Sequence, residues 1–216
     1  MRGRLITIEG LDGAGKSTLA MSLRAELARD RPVRLLREPG GVALSERIRE
    51  LVKDPGLRCD LRAEALLYAA ARAQLVDELL APLLAGGTWV LLDRFVDSSL
   101  AYQGAGRGLG VEPIAALNAF ATGGLQPDRT LLLRVDPAIA RARQRERGVP
   151  PDRLEREAEA FFCAIAAAYD ELAAGDPQRI RVLEADAPAQ QVLSRAVAAL
   201  ADLGSGLHGP LDCERS

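Results

Sequence analysis

The segment that most constrains this chain is a glycine-rich octapeptide near the N-terminus, GLDGAGKS at residues 10–17. It fits the pattern G-x-x-x-x-G-K-[ST], follows an apolar run and precedes a helical pattern. Glycines in this setting let successive backbone N–H groups turn inward around phosphate oxygens, at the positive end of the following helix. The lysine then reaches the β- and γ-phosphates, and the serine hydroxyl coordinates Mg²⁺. The octapeptide therefore predicts a strand–loop–helix unit that binds a nucleoside triphosphate.

The rest of the chain alternates short apolar runs with longer helical stretches, which is typical of a parallel sheet covered by helices. The predicted strands are residues 5–9, 33–37, 88–93, 129–135 and 179–183. The predicted helices are 17–29, 43–53, 61–85, 97–103, 111–121, 137–147, 154–174 and 187–202. We expect an α/β fold of the P-loop NTPase type, with a five-stranded parallel sheet flanked by helices. Residues 1–203 are predicted to form one domain with a short mobile lid at about 141–153, and residues 204–216 a flexible tail.

Composition excludes several classes of function. A net charge of −2 over 216 residues gives no general attraction for nucleic acid or acidic membranes. No apolar run approaches the roughly 20 residues of a transmembrane helix, and the first residues lack a signal-peptide pattern. Three widely spaced cysteines argue against a disulfide framework, and the single histidine, His208, argues against a histidine base. We expect a cytoplasmic protein without nucleic-acid or membrane partners.

A second constellation, Asp93-Arg94, ends an apolar strand. Ligands of open α/β sheets lie at the carboxyl ends of the strands, so both residues are expected to face the same crevice as the P-loop. The carboxylate can join Ser17 in holding Mg²⁺, and the guanidinium can bind a phosphate through two parallel hydrogen bonds. The alternative is a salt bridge at the end of the strand. Because the chain lacks the guanine-reading pattern N-K-x-D, a small-molecule kinase is favoured over a GTPase.

Several motifs, taken in order, resemble the thymidylate kinase family over about residues 4–200. They are the P-loop at 10–17, REPGG at 37–41, LYAAAR at 67–72, DR at 93–94, SSLAYQG at 98–104 and the arginine-rich stretch 141–153. The resemblance implies transfer of the γ-phosphoryl group of ATP to dTMP, with Mg²⁺, in a homodimer. The open alternatives are a kinase for another nucleoside monophosphate or a deoxynucleoside, and a nucleotide-binding protein without activity.

The resemblance also implies roles for residues of the acceptor site. Asp12 corresponds to the carboxylate that meets the sugar 3′-hydroxyl, although it could instead stabilise the loop through a local amide. Arg37 corresponds to a contact with the acceptor phosphate, with a structural pair to Glu38 as the alternative. Tyr68 and Arg72, four residues apart on one helix face, correspond to the aromatic residue that stacks on thymine and the arginine that binds its carbonyl. The alternative for this pair is a core tyrosine and a solvated arginine.

The stretch after Asp93-Arg94 corresponds to the family segment that lines the acceptor pocket. Ser99 and Gln103 could reach the polar edge of the base, and Tyr102 could close the sugar side against a ribose 2′-hydroxyl. Ser98 belongs to the same segment. The alternative is that these side chains only meet water at a helix surface.

Gly13 occupies the position at which some thymidylate kinases carry an arginine within the P-loop. The resemblance therefore implies the bacterial subtype, in which arginines of the lid supply the charge instead. Arg141, Arg143, Arg145 and Arg147 precede Gly148 and two prolines, and Arg153 follows them. This composition suits a loop that closes over ATP. We favour Arg147, with Arg143 and Arg153 in support, while a solvated helix face remains the alternative for some of them.

The predicted site can be given by role. Catalysis is assigned to Lys16, Asp12, Arg94 and Arg147. ATP binding is assigned to Gly10, Leu11, Asp12, Gly13, Ala14, Gly15, Lys16, Ser17, Thr18, Arg143 and Arg153. Acceptor binding is assigned to Asp12, Arg37, Tyr68, Arg72, Arg94, Ser98, Ser99, Tyr102 and Gln103. Metal binding is assigned to Ser17 and Asp93.

Overall fold

A computed structural model describes residues 2–146, 148 and 150–204 of the chain. Its described residues form a five-stranded, all-parallel sheet in the order β2-β3-β1-β4-β5. The strands are β1 Leu5–Glu9, β2 Val33–Arg37, β3 Trp89–Asp93, β4 Arg129–Arg134 and β5 Ile180–Glu184. The prediction of an α/β fold with a five-stranded parallel sheet of P-loop kinase topology is confirmed.

Helices cover both faces of this sheet. They are α1 Lys16–Leu27, α2 Ala43–Lys53, α3 Leu61–Leu75, α4 Ala81–Ala85, α5 Val96–Ser99, α6 Val111–Thr122, α7 Pro137–Arg145, α8 Glu159–Gly175 and α9 Ala189–Ala198. Wider π turns at Val76–Leu80 and Leu100–Gly106 continue α3 and α5, and a 3₁₀ turn covers Ala201–Leu203. In the part of the chain that the structure describes, no helix combines the length and apolar character needed to cross a membrane.

The alternation of side chains along β1 explains how helices come to pack on both faces. Ile6 and Ile8 contribute to a core shared with α1, α8 and α9. Leu5 points to the opposite face, where its core includes residues of α3, α4 and α6. Every residue of β1 is buried, as expected for a central strand of a parallel sheet.

The strand register aligns the functional ends of the first three strands. Ile8 lies opposite Asp93, and Asp93 in turn lies opposite Arg37. Because the three strands are parallel, the segments that follow them all leave the sheet at the same edge. The P-loop, the Arg37 turn and the Arg94 turn therefore meet there.

Several predicted boundaries are corrected. Helix α8 begins at Glu159 rather than at residue 154, because the Asp152 carboxylate accepts hydrogen bonds from the N–H groups of Leu154 and Glu155, both at 3.0 Å, and holds a turn there. The helix predicted at 97–103 starts at Val96 and extends to Gly106 by way of the π turn. The helix predicted at 187–202 starts at Ala189 and ends at Ala198. The predicted tail lies outside the described residues, apart from Gly204.

Candidate active site

A cleft of about 600 Å³ opens at the carboxyl edge of the sheet. Most of the predicted site residues line it: Asp12, Gly13, Gly15, Lys16, Ser17, Thr18, Arg37, Tyr68, Arg72, Asp93, Arg94, Ser98, Ser99, Tyr102, Gln103 and Arg143. Among the described residues, Gly10, Leu11, Ala14 and Arg153 are not part of this wall. Arg147 lies outside the described residues.

The P-loop holds its lysine against the backbone. The Lys16 ammonium is buried and donates hydrogen bonds to the carbonyl oxygens of Gly10 and Leu11, at 3.0 and 2.8 Å. Burial, together with the positive charge of Arg94, lowers the pKa of Lys16 to about 8, against the opposing effect of Asp12. The Lys16 ammonium has N–H donors and no acceptor, so it needs oxygen acceptors as partners. The phosphate oxygens of a nucleotide can therefore replace these two carbonyl oxygens.

The backbone conformation and the close packing at position 13 accept only glycine. The φ of Gly13 is 88°, in the left-handed region, and a Cβ atom built there would lie 2.1 Å from the carbonyl oxygen of Ala140 in α7. Neither the backbone conformation nor the available space accepts a side chain. The helix that leads into the predicted lid therefore packs directly on the P-loop, at the position where an arginine is excluded.

A hydroxyl oxygen and a carboxylate oxygen lie close together beside the P-loop. The Ser17 hydroxyl donates a hydrogen bond to Asp93 Oδ2 at 3.2 Å, and both residues line the cleft. Within the described ranges Asp93 makes no salt bridge with Arg94; the ion pair at the end of this strand joins Arg94 to Asp12 at 2.8 Å. A hydroxyl and a carboxylate at this spacing are chemically suited to Mg²⁺, which prefers oxygen ligands.

Arg94 is held by three partners. Its Nη2 donates to Asp12 Oδ1 at 2.8 Å and to the Tyr102 hydroxyl at 3.0 Å, and its Nη1 donates to the Ser98 hydroxyl at 3.0 Å. Burial alone would raise the pKa of Asp12, but the charges of Arg94 and Lys16 hold it well below its usual range. Asp12 is therefore an ionised carboxylate between two cations, and its hydrogen-bond donors among the described residues are Arg94 and Tyr102 rather than a loop amide.

Arg72, which also lines the cleft, has more hydrogen-bond partners than Arg94. It is 2% exposed; its Nε donates to Glu38 Oε2 at 2.8 Å, and its Nη2 to the Phe95 carbonyl at 2.9 Å. Its Nη1 donates to the Ser99 hydroxyl at 2.9 Å and also to Asn118 Oδ1. The alternative of a solvated helix charge is therefore wrong. Burial raises the pKa of Glu38 to about 7, although Arg72 opposes the shift.

Arg37 has a different partner from the one considered as its alternative. Its Nη2 donates to both carboxylate oxygens of Glu46, each at 3.0 Å. Because Glu38 pairs with Arg72, the alternative of an Arg37–Glu38 pair is wrong. The Arg37 side chain is about half-exposed (48%) at the cleft wall.

The remaining acceptor-side residues also line the cleft. Tyr68 is half-buried, and burial raises the pKa of its phenol. Gln103 is buried and donates to Glu64 Oε1 at 2.9 Å, so it does not merely meet water. Glu64 also forms ion pairs with Arg107 at 3.2 Å and with Arg153 at 2.7 Å.

The described lid arginines differ in burial: the Arg153 side chain is 14% exposed and that of Arg143 is more open. The Arg143 guanidinium donates to the Ala185 carbonyl and to Asp186, both at 3.2 Å, and its side chain is 37% exposed. The Arg141 guanidinium lies 5.0 Å from the centre of the Phe162 ring. Arg153 turns toward Glu64 and the Val52 carbonyl rather than lining the cleft.

Sequence reasoning missed three residues that hold this site together. Glu9 accepts hydrogen bonds at the end of β1, Glu38 pairs with Arg72, and Asn118 in α6 contacts the same guanidinium. An acidic residue that closes a run of apolar residues in a buried strand was a usable signal for Glu9. Asn118 carried no such signal because it lies within an unremarkable helical pattern.

Comparison with known proteins agrees with this geometry. The family model for thymidylate kinase matches residues 8–196. A thymidylate kinase of Halorhodospira halophila is 46% identical over 206 residues, covering 94% of this chain and 95% of the relative. The thymidylate kinase of Deinococcus radiodurans is 45% identical over 204 residues, with coverage of 94% and 98%. That of Chromobacterium violaceum is 50% identical over 185 residues, with coverage of 85% and 87%. The chain belongs to the thymidylate kinase family.

Proposed function

We propose that the chain transfers the γ-phosphoryl group of ATP to dTMP, giving dTDP and ADP. The observation that carries the proposal is the convergence of three cations on one cleft. Lys16 belongs to the phosphate-binding loop, and Arg94 and Arg72 line the same cleft. A nucleoside acceptor would not require Arg94 and Arg37 together, whereas a nucleoside monophosphate presents the phosphate that both can bind.

In the proposed reaction a phosphate oxygen of dTMP attacks the γ-phosphorus, and the bond from that phosphorus to the β–γ bridging oxygen breaks. Lys16 exchanges its contacts with the carbonyls of Gly10 and Leu11 for the β- and γ-phosphates. Arg94 binds the acceptor phosphate, and Asp12 orients the sugar hydroxyl. The protein contributes positioning and charge rather than covalent chemistry, as expected for phosphoryl transfer.

The thymine base is proposed to occupy the end of the cleft at Arg72. Tyr68 stacks on the ring, and Arg72 donates to a base carbonyl while Ser99 and Gln103 face its polar edge. Tyr102 donates a hydrogen bond to Asp12 Oδ2 at 3.2 Å, which supports its placement on the sugar side. The Ser98 hydroxyl contacts Arg94, which supports an indirect role at the phosphate.

Ser17 and Asp93 are the proposed protein ligands of Mg²⁺. A bound Mg²⁺ would neutralise charge on the phosphates of ATP. Among the described residues, no three acidic, histidine or cysteine side chains gather at one point. One carboxylate and one hydroxyl are sufficient where substrate oxygens and water supply the remaining ligands.

The lid is proposed to complete the ATP side, with Arg147 acting on the transferred group and Arg143 and Arg153 supporting it. The packing of α7 on Gly13 favours this assignment, because no arginine can enter through the P-loop. Residues 1–203 would then act as one domain with a closing lid at about 141–153. The widely spaced cysteines suit a cytoplasmic location.

A homodimer is proposed from two exposed apolar side chains on neighbouring helices. Leu66 of α3 is 57% exposed and Phe120 of α6 is 89% exposed. Burying such groups against a second copy is favourable. Light scattering should report a dimer for the natural chain and a monomer for Phe120→Glu. A monomeric natural chain at micromolar concentration would refute the proposal.

The function is tested by ADP release with dTMP, dUMP, dCMP, AMP and thymidine offered side by side. We expect dTMP to give the highest kcat/KM. Preference for another monophosphate or for thymidine would favour the alternative acceptors, and no release with any acceptor would favour nucleotide binding without catalysis. Lys16→Ala is the control, since it should reduce turnover by about 10²–10³ while the fold remains. Substantial activity in this variant would refute the P-loop mechanism.

A further inference from the structure

Glu9, the last residue of β1, is a fully buried carboxylate whose role is not explained by binding ATP or dTMP. It is 0% exposed and, within the described ranges, forms no ion pair. A buried carboxyl group is costly unless its oxygens are hydrogen-bonded. Oε1 accepts from the Phe95 N–H at 2.7 Å. Oε2 accepts from the Tyr169 hydroxyl at 3.1 Å and also from the Ser98 hydroxyl.

These contacts surround a strained turn. Arg94 has a φ of 71°, and it is the one residue other than glycine with a positive φ in the part of the chain described by the structure. Such a conformation is strained and persists only where neighbouring groups impose it. The Arg94 N–H donates to the Ile8 carbonyl at 3.1 Å, and the next N–H, that of Phe95, donates to Glu9. The end of β1 therefore holds both amides of the turn.

The same carboxylate also reaches the Arg94 side chain through one intermediate. The Ser98 hydroxyl accepts from Arg94 Nη1 at 3.0 Å and donates to Glu9 Oε2. Because the hydroxyl has a single proton, donating it to Glu9 leaves its oxygen to accept from the guanidinium. Glu9 thus sets the direction of this hydrogen bond as well as the backbone of the turn.

We propose that Glu9 is a positioning residue that imposes the strained Arg94 turn and aims the Arg94 guanidinium at the acceptor phosphate. The inference rests on the phosphate-binding role of Arg94 in the proposed function. Glu9 touches neither substrate; its effect passes through Phe95 and Ser98. The base end is affected less, because Arg72 keeps Glu38, Ser99 and Asn118 as partners even if the Phe95 carbonyl shifts.

The test compares binding of dTMP with binding of thymidine, which lacks the phosphate, by calorimetry on the full chain without ATP. Glu9→Ala removes all three contacts, and Glu9→Gln replaces the Oε2 acceptor with a donor. For Glu9→Ala we expect about a ten-fold weaker affinity for dTMP, the size of one hydrogen bond to a charged group, and an unchanged affinity for thymidine. Glu9→Gln should show a smaller loss in the same direction. If Glu9→Ala fails to fold, Glu9→Gln decides.

Asp97→Asn is the matched control. Asp97 is also a buried carboxylate in the same segment, but its partners are Thr130 at 3.0 Å and Arg179 at 2.7 Å. The Asp97→Asn variant should have a lower melting temperature but no selective loss of dTMP affinity. Equal losses of dTMP and thymidine in the Glu9 variants, or no loss of either, would overturn the proposal and leave Glu9 a structural residue.

Arg94→Ala separates this inference from the proposed function. If Arg94 binds the acceptor phosphate, Arg94→Ala weakens dTMP alone, and adding Glu9→Gln causes no further loss. If Arg94→Ala weakens dTMP while the Glu9 variants do not, the positioning role alone is overturned. If Arg94→Ala leaves dTMP affinity unchanged, the phosphate role fails and the positioning role fails with it.

Discussion

Two walls of the cleft are built in different ways: the acceptor wall, which carries Arg72 and Arg94, and the lid wall, which carries Arg143. On the acceptor wall Arg72 is 2% exposed and has four hydrogen-bond partners, and Arg94 is held by three. On the lid wall Arg143 is much more exposed, and its carboxylate partner, Asp186, is itself on the surface. A buried arginine whose geometry is fixed by its partners loses little conformational freedom when substrate arrives, whereas an exposed one must be ordered by binding. Arg72 and Arg94 of the acceptor wall are preorganised, and we propose that the lid wall assembles around ATP.

Buried carboxylates account for this difference. Glu9, Glu38 and Glu64 lie beneath the acceptor wall with 5% exposure or less, and each accepts hydrogen bonds from residues of that wall. Low local polarity strengthens these contacts and makes breaking them costly. Of the described lid arginines, Arg153 shares the buried Glu64 at 2.7 Å, whereas the carboxylate partner of Arg143 is the exposed Asp186.

The largest expected effect is on the lid wall. Arg147→Ala should lower kcat by on the order of 10³, because a lid arginine meets the transferred group mainly in the transition state. The KM for dTMP should change little, since the acceptor wall is formed without the lid. Steady-state kinetics test this, with the neighbouring Arg145→Ala as the matched control. Near-normal turnover in Arg147→Ala would mean that the lid wall contributes no catalytic charge from this residue.

On the acceptor wall the corresponding change is Arg72→Ala. It leaves the Glu38 carboxylate buried without its cation, so we expect a loss of about 3 kcal/mol in the free energy of unfolding. The KM for dTMP should rise as well. Urea unfolding at pH 7.5 provides the measurement, and Arg62→Ala on the exposed face of the same helix provides the control. A loss no larger than that of the control would contradict a preorganised acceptor wall.

The pH dependence of stability sharpens the same comparison. Burial raises the pKa of Glu38 from 4.5 to about 7, so between these values the folded state holds a proton that the unfolded state has released. The contribution of Glu38 to stability therefore falls as pH rises through this window, by at most about 1.4 kcal/mol per pH unit.

Denaturant unfolding at pH 5, 6 and 7 measures this slope. Glu38→Gln should respond less steeply to rising pH than the natural chain. Glu46→Gln is the matched control: the Gly41 amide hydrogen bond and Arg37 lower the pKa of Glu46, so this group does not titrate in the window. Equal slopes for the natural chain and Glu38→Gln would show that Glu38 is ionised throughout.

The smallest effect is expected for Arg143→Ala. Its pair with Asp186 is solvent-exposed, so the free energy of unfolding should change by about 0.5 kcal/mol or less. The KM for ATP should rise by less than about ten-fold, because Arg143 only supports the lid. Thermal unfolding and ATP titration check both statements. A stability loss as large as that of Arg72→Ala would remove the distinction between the two walls.

Much of the site could be predicted from local sequence. The P-loop and Asp93-Arg94 follow from residue chemistry within a few positions, whereas the roles of Tyr68 and Arg72 are implied by the family resemblance. Lys16, Asp93, Arg94, Tyr68 and Arg72 all line the cleft. Their grouping could also be anticipated, because parallel strands bring their carboxyl ends to one edge. The alternative considered for Arg37, a pair with its sequence neighbour Glu38, is wrong because Arg37 pairs with Glu46 and Glu38 with Arg72.

The sequence by itself determined the fold class, the strands and the loop that binds phosphate, because these follow from short-range patterns of polarity and glycine. Only the tertiary structure decided which carboxylate holds which arginine, since those partners are distant in the chain. Arg72 contacts Asn118 in α6, which is 46 positions away in the sequence, and Glu9 contacts Tyr169, which is 160 positions away. Packing also closed Gly13 to any side chain. Such contacts depend on how whole helices lie against one sheet, and no local spacing encodes that.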